Sequence, residues 1–252
     1  MLRMGSAENT NSLTSILDFA KKVINKLRRI ALRRILSPGV AVIDVDRFTK
    51  NTKSDISDHL NLIALVLEVK SPRHILELGT RNGESTKVLI DYCTRAGVKG
   101  RSFDLVQAPI WLSQKLNWQH SVGDDLNLGS QIAITGLWPD GEKFSGIDFL
   151  FLDTSHEYHH TIKELNTFIP LMSPGGLLIF HDTNNKSAPT RRLNGDIQFG
   201  NILQRDVSRA LEEYFSIKLK DDTFHSVTGY DKFRMITHFP WNNGLTIIQL
   251  LR

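Results

Sequence analysis

The chain has 252 residues, 40% hydrophobic and 23% charged, the balance of a globular protein able to bury a sizeable core. A single cysteine, Cys93, excludes an intrachain disulfide and suits a reducing, cytoplasmic setting. The formal net charge of +4 is local: residues 1–36 carry eight Lys/Arg against two Asp/Glu, and the other 216 carry 23 against 25. A basic nucleic-acid groove in the main body is therefore not expected. No apolar run nears the ~20 residues of a spanning helix, and the first residues lack the apolar region of a leader.

Residues 1–12 are polar. From Leu13 to Leu36, Leu13, Leu17, Ala20, Ile24, Leu27 and Ala31 fall close to one helical stripe, with Lys22, Lys26, Arg29 and Arg33 on another face. Ser37-Pro38-Gly39 stops that helix. Such a helix packs on its own domain or on a second copy of the chain, or it meets an acidic membrane surface. A homo-oligomer or a surface attachment through residues 13–36 follows from these readings. A mitochondrial presequence is a third reading, interrupted by Glu8 and Asp18. Val40 to Lys53 reads as a connector, so the spacing divides the chain into a basic helical extension, 1–53, and a main domain, 54–252.

Asp55 to Val69 has the period of a helix with Leu60, Ile63, Ala64 and Leu67 on one face, ended by Ser71-Pro72. His74 to Leu78 is a short apolar run of the kind buried on both faces in a parallel sheet. Gly79 and Gly83 then turn it into a helix reaching Gly97. Further strands are predicted at Gly100–Leu105, Gln119–Val122, Ile147–Asp153 and Leu177–Phe180. Helices are predicted up to Lys115, over His159–Met172 and over Asp206–Phe215. The tail offers strands at Phe215–Lys220 and Leu245–Leu250, and residues 184–201 read as one long polar loop. Strands alternating with helices argue a parallel sheet covered on both faces.

In such a sheet Glu77, Asp104, Asp124 or Asp125, Asp153 and Asp182 stand at successive strand ends around one crevice. A strand turning sharply into a helix points backbone N–H groups into that crevice, and glycine lets a ligand come close. The order Glu77-x-Gly79-x-Arg81-x-Gly83 lacks the middle glycine of a dinucleotide fingerprint, which argues against a nicotinamide oxidoreductase. An ordinary glycine-rich turn in another α/β protein is the plain alternative.

The segment Glu77 to Ser85 resembles the first motif of class I S-adenosylmethionine-dependent methyltransferases. Phe151-Leu-Asp153-Thr-Ser-His156-Glu-Tyr158, Pro174-Gly-Gly176 and His181-Asp182-Thr183 are similar to the small-molecule O-methyltransferases of the catechol and caffeoyl-CoA type, and to relatives that methylate sugars and antibiotics. The resemblance runs from about Ser57 onward. It implies a Rossmann-like, doubly wound, mostly parallel seven-stranded sheet with an antiparallel C-terminal strand.

It also implies S-adenosylmethionine as cofactor, held by Glu77, Gly79, Arg81, Gly83 and Ser85. Asp104 would take the ribose hydroxyls, and Asp124 or Asp125 the adenine. Asp153, Asp182 and Thr183 occupy the places of the family's magnesium ligands, although the third is usually asparagine. His156 stands where the catechol-type enzymes place a lysine base, and a histidine can do that work. The plain alternative for His156 is a loop histidine beside His159 and His160. His181 is expected to pack at the strand end or to hydrogen-bond the site.

The activity implied is transfer of a methyl group to a hydroxyl of a small molecule. Arg191 and Arg192 are either acceptor contacts or solvated charges. A non-catalytic cofactor-binding module, or transfer to another acceptor atom, is the competing reading. The lack of an Asn-Pro-Pro-aromatic segment argues against base methylation.

Overall fold

The computed structural model describes residues 56–57, 59–184, 190–191, 197–198, 205–220, 225–228, 234–240 and 243–250. The basic extension 1–53, its stripe at 13–36, Arg192 and the side chain of Arg191 lie outside the described residues, as do the association and membrane-surface readings built on that stripe.

The described chain runs α1 (Leu60–Lys70), β1 (His74–Leu78), α2 (Glu84–Ala96), β2 (Lys99–Asp104), α3 (Ile110–Ser113), β3 (Trp118–Val122), α4 (Asp125–Thr135), β4 (Ile147–Leu152), α5 (Tyr158–Phe168), β5 (Met172–His181), β6 (Thr190–Arg191), β7 (Ile197–Gln198), α6 (Asp206–Phe215), β8 (His225–Thr228), β9 (Arg234–Phe239) and β10 (Leu245–Leu250). An eight-stranded sheet has the order β3-β2-β1-β4-β5-β10-β9-β8. Strands β1 to β5 pair in parallel, and β10 joins β5 antiparallel. The seven strands implied by the resemblance are there, and β8 adds an edge beyond β9.

Alternation along each central strand builds two cores, because successive side chains leave opposite faces. Leu76, Leu150, Leu152, Leu178 and Phe180 face α4, α5 and α6 through Ile132, Leu165, Phe168 and Leu211. Ile75, Phe149, Phe151, Leu177 and Ile179 face α1 and α2 through Ile63, Leu67, Val88 and Leu89. Phe149, Phe151 and Phe168 are fully enclosed, and each such burial stabilises by roughly 1.5–3 kcal/mol. None of the described helices is long and apolar enough to cross a membrane.

Some expectations fail for physical reasons. Phe215–Lys220 is no strand: α6 ends at Phe215, and Ser216 reverses the chain with φ 53°. Ile217 and Leu219 do alternate into the core, which produced the strand signal, but they join no ladder. Strand β9 escaped because its buried positions include a polar residue: His238 is enclosed and satisfied in part by Thr246 Oγ1 at 2.8 Å. Helix α4 was also missed. Asp124 caps it by accepting from Asn127 N at 2.9 Å, a cap legible in Asp124-x-x-Asn127. Within the long loop, Thr190–Arg191 and Ile197–Gln198 form a short antiparallel ladder.

Candidate active site

Strand order reverses between β1 and β4, and the crevice opens there, at the carboxyl ends of the parallel strands. A cavity of about 460 Å³ is lined by Gly79, Arg81, Asp104, Gly123, Asp124, Asp125, Asp153, His156 and His160, with Phe103, Leu105 and Val106 as an apolar wall. An apolar flank beside a few convergent polar groups suits a planar base and a sugar.

The turn after β1 is built by close approach. Gly79 has φ +84°, and a Cβ there would lie 2.1 Å from the Asp153 carbonyl oxygen. Gly79 N donates to Phe103 O, and Asp153 N donates to Leu78 O, both at 2.9 Å. The turns after β1, β2 and β4 are thus tied together at the backbone. Asp104 is pinned from below: its Oδ2 accepts from Thr80 N at 2.7 Å and Arg81 N at 2.9 Å, and its Oδ1 from Val106 N at 3.1 Å. A carboxylate offers about four acceptor positions, so one remains toward the crevice.

Glu77, Gly83 and Ser85 stand behind this wall rather than in it. Glu77 is fully enclosed and accepts from Ser85 Oγ at 2.6 Å and from Thr86 Oγ1 at 2.7 Å. Burial pushes its pKa up to about 8 against the pull of those hydroxyls. The hydrogen of the Ser85 hydroxyl, a group expected to hold the cofactor, is thus given to Glu77. Gly83 leaves room for Trp111: a Cβ there would lie 2.5 Å from the indole. Of the two adenine candidates, Asp124 caps α4, while Asp125 is buried beside His160.

The second half of the site is an ionic knot. His156 Nε2 lies 3.0 Å from Asp153 Oδ1 and 2.8 Å from Asp182 Oδ2. His181 Nδ1 lies 3.2 Å from Asp153 Oδ1. His156 (φ +58°) and Asp182 (φ +56°) are both non-glycine residues in the left-handed region, where strain collects at working sites. Burial opposes charge throughout the knot but is outweighed. The two carboxylates push His156 and His181 up to about 10. The two imidazoles hold Asp153 down to about 2 and Asp182 well below the usual range.

The oxygen and nitrogen atoms of Asp153, His181 and Asp182 lie within 4.8 Å of one another, close enough to share one cation. Asp182 Oδ1 is buried without a hydrogen-bond partner. Thr183 Oγ1 is likewise unpartnered, and its carbonyl accepts from Ser208 Oγ. The geometry thus adds His181 to the ligand set that the sequence assigned to Asp153, Asp182 and Thr183. His160, Glu164 and Thr154 were not anticipated either. His160 and Glu164 share a face of α5 four residues apart, and that spacing was the available signal.

Comparison with known proteins agrees with this geometry. The sequence matches a family described as a methyltransferase domain over residues 76–183. It matches a second family, rhamnosyl O-methyltransferase/CmcI, over residues 142–240. Among solved structures, cofactor-bound Rv0187 from MTB is 15% identical with a TM-score of 0.50, covering 83% of this chain and 86% of that one. MycE methyltransferase from the mycinamycin biosynthetic pathway, in complex with Mg, SAH and mycinamycin VI, is 15% identical with a TM-score of 0.50, covering 78% of this chain and 49% of its own. The O-methyltransferase TomG from Streptomyces achromogenes is 18% identical with a TM-score of 0.49, covering 87% and 86%. At these identities the structural likeness is one of fold. No curated protein matches the sequence significantly. The family matches, the sheet order and the glycine turn at its switch point place this chain among the class I S-adenosylmethionine-dependent methyltransferases, alongside the O-methyltransferases.

Proposed function

We propose that this methyltransferase acts on a hydroxyl of a small molecule, such as a sugar or a secondary metabolite. The observation that carries the reading is the junction of two halves in one crevice. Gly79 and Asp104 form a wall fit for a nucleoside, and the His156–Asp153–Asp182 knot lies at its other end. The reaction is an in-line displacement: the acceptor oxygen bonds to the methyl carbon, the sulfonium S–C bond breaks, and the hydroxyl proton leaves. Positioning in such a reaction supplies up to ~7–11 kcal/mol of the barrier.

Asp153 and Asp182 are the residues that would hold a magnesium ion, through hard carboxylate oxygens, with the unpartnered Thr183 Oγ1 next to them in the chain. Bound there, it would polarise the acceptor hydroxyl. Magnesium stands in the MycE complex, which is reason to test it here. Between two bare carboxylates His156 is an imidazolium and has no free lone pair. It would become a competent base if a bound cation met the charge of Asp153 and Asp182.

The test is transfer of labelled methyl from S-adenosylmethionine to a panel of hydroxylated small molecules, with magnesium and with EDTA. His156→Ala should lower turnover by ~10²–10⁴-fold, the usual worth of a general base, with the affinity for S-adenosylhomocysteine unchanged. Asp104→Asn should weaken that affinity instead. Failure of the wild-type protein to bind either nucleoside overturns the reading; binding without transfer to any acceptor favours a non-catalytic module.

A further inference from the structure

Beyond the knot at the crevice end, a second trio of metal-ligating side chains sits under the opposite part of the crevice wall. Asp125 opens α4, and His160 and Glu164 lie one turn apart on α5. Their donor atoms lie within 4.8 Å of one another. Glu164 is 1% exposed and Asp125 8%. Asp125 Oδ2 has no hydrogen-bond partner among the described residues.

The ion pairs within this trio are long ones. His160 Nε2 is 3.4 Å from Asp125 Oδ1 and 3.4 Å from Glu164 Oε1. A charged hydrogen bond from nitrogen to carboxylate closes to ~2.7–2.9 Å, and His156 approaches that with its own two acids, at 2.8 and 3.0 Å. Metal bonds of ~2.0–2.1 Å at tetrahedral angles place neighbouring donors ~3.4 Å apart. Glu164 is also oriented from behind: Thr154 Oγ1 donates to its Oε1 at 2.6 Å, the kind of outer support that fixes a ligating carboxylate.

We propose that Asp125, His160 and Glu164 form a binding site for a divalent transition ion of the zinc class, separate from the Asp153–His181–Asp182 cluster. An imidazole with two carboxylates suits zinc, cobalt or manganese better than magnesium, which prefers an all-oxygen shell. Three protein donors leave a fourth position open. Asp125 and His160 both line the crevice, so that position faces the bound nucleoside or water.

The experiment uses the full-length protein stripped with chelator and titrated with Co²⁺, read by visible absorption and by calorimetry. The wild type should show a tetrahedral cobalt spectrum that survives Asp182→Asn. His160→Gln should abolish the spectrum and weaken that binding step more than ~100-fold, since even an outer-shell change costs 10–100-fold. Thr154→Val should weaken it by ~10–100-fold on the same ground, and it serves if His160→Gln fails to fold. An Asp182→Asn protein that binds no cobalt overturns the proposal. So does an identical spectrum and affinity in wild type, His160→Gln and Thr154→Val. Neither result depends on whether the chain transfers a methyl group.

Discussion

Arg101 and Asp182 are equally enclosed, at 3% exposure, yet the sheet treats them oppositely. Arg101 lies toward the amino ends of the strands. Its Nε and Nη2 donate to Asp140 Oδ2 at 2.9 and 2.8 Å, and its Nη2 donates to Glu142 Oε2 at 2.6 Å. Its planar face rests 4.4 Å from the centre of the Trp138 ring. Asp182, at the carboxyl end of β5, keeps one oxygen without a hydrogen bond and holds a left-handed backbone. Arg101 is closed and unstrained, whereas Asp182 has its histidine partners but keeps an oxygen without a hydrogen bond on a strained backbone, the pattern expected of a charge held for a ligand. The difference offers a physical way to tell the two roles apart without any bound molecule in view.

That contrast can be broken at three places. The largest effect is expected at the open end. Gly79→Val forces a side chain into the Asp153 carbonyl at a φ that valine rejects. It should destabilise the chain by ~3 kcal/mol or more and abolish binding of S-adenosylhomocysteine, as followed by denaturant unfolding and calorimetry. At the closed end, Arg101→Met keeps the stem volume and removes the guanidinium. Asp140 then loses its cation while staying near water, so a cost of ~2 kcal/mol is expected, with cofactor affinity unaltered. A drop in affinity there would erase the distinction between the two ends.

The third place is Glu77, a buried acid of the closed kind set just behind the open crevice, where the change is read as a dependence on pH. Its folded pKa of about 8 exceeds its ordinary 4.5, so the folded chain holds more protons than the unfolded chain between those values. Its contribution to stability is present below pH 4.5 and is lost as pH rises toward 8. Glu77→Gln should flatten that decline in a pH series of melting curves.

Much of this was legible because buried parallel strands write themselves as unbroken apolar runs. His74–Leu78 and Ile147–Asp153 lie close to their observed bounds, Leu177–Phe180 marks only the buried later part of Met172–His181, and the acids at their ends follow. Partnership between side chains was harder to read. No spacing announces that Ser85 serves Glu77, because that contact depends on how α2 docks over β1. His181 joins Asp153 only through the pairing of β4 with β5. Strand β9 hid because a hydrogen bond, rather than an apolar side chain, satisfies its buried His238.

The contact between Gly79 and the Asp153 carbonyl reaches beyond packing. The loop that faces the cofactor and the loop that bears the acid of the ionic knot share one backbone junction, further fastened by Asp153 N to Leu78 O. A change in either loop must be accommodated by the other, so substitutions in the two are expected to be non-additive. Acceptor preference should therefore shift at least cost through positions that lie off this junction.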